Sequence, residues 1–157
     1  MMWPFRKQSV PNISWFSGES AEMNEAIAEA QATFPHFLDV LAGNGDRQSL
    51  PDLALVKYGF RATRPGAVVE HVFVGDVVAK DGDLWGVVNA DPAYTNEVAE
   101  GDLIKIDRDR VSDWLYVIDQ KGTGGFTFKL MWKNFSPAER EAYRDQAPFV
   151  WLVNQFS

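Results

Sequence analysis

An α+β domain is the fold class the sequence predicts, with an antiparallel sheet of five to six strands that is curved or partly barrel-like. Three observations predict it. One long amphipathic stretch precedes a series of short apolar segments. Turn signals of the hairpin kind, Arg64-Pro65-Gly66-Ala67 and Asp81-Gly82, punctuate that series. A second helix signal comes only after the strands, so the strand–helix alternation of a parallel α/β fold is missing.

The first helix is expected over about residues 20–42, packed across one face of the sheet. Ser20 suits the cap and Glu22 the positive helix end. Met23, Ile27, Ala30, Phe34, Phe37, Leu38 and Leu41 recur at spacings of three and four, which lines up one face. Pro35 lies inside this pattern, where it removes a hydrogen bond and crowds the Gln31 carbonyl, so a kink or restart near Thr33 is expected. Strands are expected over 53–60, 68–78, 84–89, 103–106 and 111–118. Phe126, Phe128, Leu130 and Trp132 alternate and predict a sixth over 126–132, after a glycine loop at 122–125. Ser136-Pro137-Ala138-Glu139 is a capping box with proline at the first helical position, and it predicts a short helix over about 137–146. Residues 149–153 are apolar and strand-like. The organisation is thus an irregular arm (1–19), one domain (20–147) and an apolar tail (148–157).

Composition narrows the function. The chain has 157 residues, 46% of them apolar, enough for a core without staples. There is no cysteine, which excludes disulfides, a thiol nucleophile and thiolate metal sites and suits the cytoplasm. The net charge is −7, the wrong sign for displacing counterions from nucleic acid. No stretch approaches the roughly 18 apolar residues of a membrane span. Two histidines in separate elements, His36 and His71, support no metal site, and no cofactor motif occurs.

The chemistry-bearing candidates are few. Glu70 and His71 are neighbours in a strand and so point to opposite faces. His71 with Glu70 or Asp113 could act as acid or base. Asn89 precedes Asp91-Pro92, where an Asx turn ends a strand. Ser112-Asp113-Trp114 breaks a strand with two polar residues before a large aromatic, and Trp114 could be a binding anchor. Gly124 and Gly125 could offer amides to an anion, but a phosphate loop needs a helix behind it, and a strand is expected there. Trp3, Phe5, Trp15 and Phe16 at one end, and Phe149, Trp151 and Phe156 at the other, would form an interface patch if exposed.

Several blocks taken together resemble a known group. They are Met23-Asn24-Glu25-Ala26-Ile27, Glu70-His71-Val72-Phe73-Val74, Gly86-Val87-Val88-Asn89, Gly101-Asp102, Val111-Ser112-Asp113-Trp114-Leu115-Tyr116 and Gly124-Gly125-Phe126-Thr127. The chain resembles the YegJ-like bacterial family, domain of unknown function 2314, over roughly residues 20–147. The resemblance implies no established catalytic residues. If that family has a site, its matching positions here are Glu70, His71, Asn89, Asp113, Trp114, Gly124 and Gly125. Acidic charge, lack of a catalytic motif and surplus aromatics point to a non-catalytic protein-binding module, immunity- or inhibitor-like, acting on a protein partner as a monomer or homodimer. The alternative is a small-ligand binder or enzyme using His71 with Glu70 or Asp113.

Overall fold

A computed structural model describes residues 21–45 and 50–156. The expectations for the arm, its aromatic residues and the Ser20 cap lie outside the described residues. The elements run α1 (Ala21–Leu41), β1 (Leu53–Arg61), β2 (Val69–Lys80), β3 (Asp83–Val88), β4 (Leu103–Lys105), a 3₁₀ turn (Arg108–Arg110), β5 (Val111–Ile118), β6 (Lys121–Gly124), α2 (Phe126–Asn134), α3 (Pro137–Arg144) and α4 (Val150–Val153). All strand pairings are antiparallel, in the order β4-β3-β2-β1-β5-β6. The sheet is open between the edges β4 and β6 and is not closed into a barrel, and with its N-terminal helix and short C-terminal helices the chain has the expected α+β class.

Each face of the sheet has its own core. On the first face Val56, Tyr58, Phe60, Val72, Val74, Val88, Trp114 and Tyr116 pack against Ala30, Phe34, Phe37, Val40 and Leu41 of α1. On the second face Leu55, Phe73, Leu115 and Val117 pack against Phe128, Tyr143, Phe149, Leu152 and Val153. β1 and β5 are therefore buried on both sides, which is why they read as apolar runs rather than alternating ones.

Three local expectations are corrected. α1 is one uninterrupted helix through Pro35. The proline lies on the exposed side, and the turn around it is pinned to β5: the Trp114 indole N–H donates to the Ala30 carbonyl (2.9 Å) and Gln31 Nε2 to the Val111 carbonyl (3.4 Å). Residues 126–132 form helix α2, not a strand, while the sixth strand is β6, inside the glycine loop. Phe128, Met131 and Trp132 also fit a helical spacing, and a cap from another strand decides between the two periods. The 149–153 segment is helix α4, not strand, and carries Phe149 into the second core. The predicted capping box is present: Ser136 accepts from the Glu139 amide, and Glu139 accepts from the Ser136 amide.

Gly124 is the tightest point of the β6–α2 junction. Its φ is +93°, and a Cβ there would strike the Trp114 carbonyl and approach the indole ring within 2.7 Å. Gly124→Ala combines left-handed strain with a backbone clash and is expected to cost more than about 2 kcal/mol. Equilibrium urea denaturation checks this, and an unchanged midpoint would show that the junction can relax.

Candidate functional site

The sequence-predicted site residues do not gather on one surface. Glu70 faces the α1 side and is fully buried. Its carboxylate accepts three backbone amides, from Ala93 (2.6 Å), Tyr94 (2.7 Å) and Thr95 (2.8 Å), and so ties the 89–101 connection to β2. Asn89 is buried at the end of β3, and its side-chain Nδ2 has no partner among the described residues. Trp114 is 2% exposed and sits against Phe37, Tyr116 and Phe126. That corrects the reading of Trp114 as a surface anchor: it fills the core beneath α1.

Asp113 and the glycines form one junction. Lys57 pairs with Asp113 and Tyr58 with Val111, so Ser112 is the extra residue of a β-bulge. The bulge turns the Asp113 carboxylate to the second face, where it meets the first turn of α2. It accepts from the amides of Phe126 (3.0 Å) and Thr127 (2.8 Å) and from the Thr127 hydroxyl (2.6 Å). A helix does follow the glycine loop, contrary to expectation. The free amides that would bind an anion there are already taken by Asp113. Gly125, in the left-handed region at φ +72°, is the helix N-cap and donates to the Trp114 carbonyl.

Sequence reasoning missed two members of this cluster, Lys57 and Thr127. Lys57 Nζ donates to the Thr127 hydroxyl (2.9 Å), and both side chains are buried. A lone lysine within the apolar run 53–60 was the available signal. Burial lowers the Lys57 ammonium to about 8, while the Asp113 charge opposes the fall. Burial raises Asp113, opposed by Lys57 and by the hydrogen bonds of Thr127 and Trp114. The two buried groups oppose each other's shift, and removing either one leaves the other without its electrostatic partner.

His71 is next to this cluster but bonds to neither Asp113 nor Glu70. Its Nδ1 lies 3.0 Å from the Ser112 hydroxyl, which donates to the Lys57 carbonyl. Burial, and then the Lys57 cation, lower the imidazole to about 4. A cleft of about 490 Å³ lies between α1 and the 3₁₀ turn and one of about 290 Å³ beside β6, α2 and α4, and neither is lined by His71, Lys57 or Asp113. Among the described residues no group of three or more potential ligands could hold a metal ion, and no helix is long and apolar enough to cross a membrane.

What the surface does offer is an uncovered apolar strip. The C-terminal helices cover the second face over β6, β5 and β1 and reach β2 only at Phe73. Beyond Phe73, the same face carries Val78, paired with Trp85, and Val87, paired with Leu103. Val78 is 53% and Leu103 66% exposed, with Trp85 and Val87 half-buried between them. No described element packs over these four side chains.

The fold and these junctions define a two-sided α+β domain whose polar cluster is interior and whose apolar strip is exterior. The model of a family described as an uncharacterised protein conserved in bacteria, DUF2314, matches residues 20–150, and the chain belongs to that family. A Neisseria meningitidis serogroup B protein named for ankyrin repeats is 30% identical over 120 residues, which are 75% of this chain and 47% of that protein. The uncharacterised protein YegJ of Escherichia coli is 31% identical over 75 residues, 48% of this chain and 49% of YegJ. The matched segments thus span about half the length of both curated relatives. No solved structure matches.

Two outcomes test the cluster. Asp113→Ala strands the Lys57 ammonium and two helix amides and is expected to cost about 3–5 kcal/mol. Lys57→Met leaves Asp113 its N-terminal amides and is expected to cost clearly less. Urea denaturation of both variants checks the order, and a larger loss for Lys57→Met would refute this account. His71 gives a pH signature. Its folded value, about 4, lies below the ordinary 6.5, so the unfolded chain binds the proton first as pH falls. Stability contributed by neutral His71 is present above pH 6.5 and is lost as pH falls towards 4, by at most about 3 kcal/mol. His71→Gln should therefore flatten the stability–pH curve between pH 6.5 and 4, measured by denaturation at several pH values.

Proposed function

We propose that this domain is a non-catalytic protein-binding module whose contact surface is the apolar strip Val78–Trp85–Val87–Leu103. The observation that carries this reading is the half-covered second face: four adjoining apolar side chains on three paired strands, with no described element over them. Exposed apolar area of this kind, rimmed by polar residues, is characteristic of interaction sites. Trp85 at its centre is of the type enriched among binding hot spots. The chemistry-bearing groups favour the same reading, because Asp113, Lys57 and Glu70 are buried and engaged in holding elements together. The name of the Neisseria relative is in keeping with it, since ankyrin repeats stack into extended binding surfaces. An immunity- or inhibitor-like role, in which an acidic domain covers a basic partner, is the form we favour, with the cytoplasm as its setting for a chain without cysteine.

The test is recovery of a partner from a bacterial lysate with the purified protein as bait, beside a Trp85→Ser, Leu103→Ser double variant. The native bait is expected to recover one protein stoichiometrically and the double variant to lose it, with both baits equally folded by circular dichroism. A folded native bait that recovers nothing, or a variant that recovers the same protein equally well, would overturn the reading.

A further inference from the structure

The two edges of the sheet are treated differently. β6 is closed off: Gln155 Nε2 donates to the Gly122 carbonyl (2.6 Å), and Leu152 and the Trp151 carbonyl lie where a Gly122 Cβ would be. Among the described residues β4 has no such cover. The Val88 amide donates to the Asp102 carbonyl, and the Ile106 amide donates to the Leu84 carbonyl, so residues 102 and 106 turn their backbone groups to β3. By antiparallel alternation residue 104 does the same, and the N–H and C=O groups of Leu103 and Lys105 point away from the sheet. Among the described residues nothing bonds to them. An unpaired row of this kind is a template for an added strand.

The side chains beside that row state what would fit. Leu103 continues the apolar strip of Val87, Trp85 and Val78 to the edge itself. At the N-terminal end of β4 the exposed charges are Glu100 and Asp102, both acidic. At the other end Lys105 lies 3.5 Å from Asp83, and beyond it come Asp107, Arg108, Asp109 and Arg110, which balance. The acidic excess is therefore next to Leu103.

We infer that β4 receives an extended strand from a partner protein, antiparallel to it, with an apolar residue opposite Leu103 and a Lys or Arg directly after it, opposite Asp102 and on its face. The inference rests on the proposed binding role and adds to it the partner's chemistry. The outward groups of Leu103 and Lys105 supply main-chain hydrogen bonds. The strip supplies an apolar neighbour on the same face, and the carboxylates select the cationic flank.

The experiment is selection of a random twelve-residue peptide library against the protein and against Lys105→Pro and Lys105→Ser. Proline at an edge position removes only the outward N–H, whereas serine keeps it and loses only the exposed Lys105–Asp83 pair, worth little. Enriched peptides are expected to share an apolar residue followed directly by Lys or Arg. They should bind Lys105→Ser as they bind the native protein, and Lys105→Pro at least about tenfold more weakly. Bound peptide should slow hydrogen exchange of the Leu103 and Lys105 amides by at least about tenfold, with those of β6 unchanged. The exchange measurement uses the native protein and so does not depend on either variant folding. Peptides that bind native and Lys105→Pro protein equally, without protecting those amides, but fail on the Trp85→Ser, Leu103→Ser variant would overturn strand addition and leave face binding standing. No enrichment on any form would overturn both.

Discussion

Asp113 belongs to β5, yet it completes α2. Its carboxylate takes the amide protons of Phe126 and Thr127, which no residue preceding the helix could satisfy, because a glycine stands at the N-cap. Helix α2 in turn carries Phe128, which stacks on Phe149 and meets Tyr143 edge-on. The second core is thus assembled on a helix whose start is fixed by a strand residue far from it in sequence. Lys57 on the adjacent strand joins the same junction from within the sheet by donating to the Thr127 hydroxyl. The β-bulge at Ser112 is the geometric condition for all of it, since without the extra residue Asp113 would lose its register with Lys57.

This dependence explains what was readable in the sequence. Elements governed by local chemistry were legible: the α1 periodicity, the hairpin at Asp81-Gly82 and the capping box at Ser136 all rest on residues within a few positions of one another. The order of the first five strands was legible for the same reason. Residues 126–132 were not, because their alternating and helical spacings are both satisfied and the deciding cap comes from Asp113. The tail was misread similarly: Phe149 to Val153 are apolar on every side, and only packing against β6 and Phe128 selects a helix. For Pro35 the local rule was outweighed by contacts of β5 with the turn before it, at Ala30 and Gln31.

The candidate residues followed the same division. Glu70 and Asp113 are unusual in sequence because each is a carboxylate inside a strand, and both are indeed special in the structure. Their work is to hold the 89–101 connection and the α2 start, through three amides and two amides respectively. A carboxylate that accepts several backbone amides is a folding device, and its oxygens have few lone pairs left for a substrate. Lys57 was invisible as a partner because pairing across two strands with a bulge between them leaves no fixed spacing to read.

The apolar strip was hardest to foresee, since its residues look like ordinary strand residues. Trp85 and Val87 occupy alternate positions of β3, as core residues do. Which alternate face is covered depends on how far three short helices can reach across a six-stranded sheet. α2, α3 and α4 together cover β1 and β5 and stop near Phe73. The far half of the face is left to β2, β3 and β4, and the chain there keeps its aliphatic residues where a solvated sheet face would favour alternating polar ones. The edge next to it is left unpaired while the opposite edge has a glutamine and a helix over it. A short edge strand bearing a lysine is a known way to discourage unwanted pairing. At β4 that protection is partial, because Lys105 is held by Asp83 and the exposed residue beside it is Leu103. Open face and open edge meet at that one residue, which makes selective partner binding a better physical account of β4 than protection from aggregation.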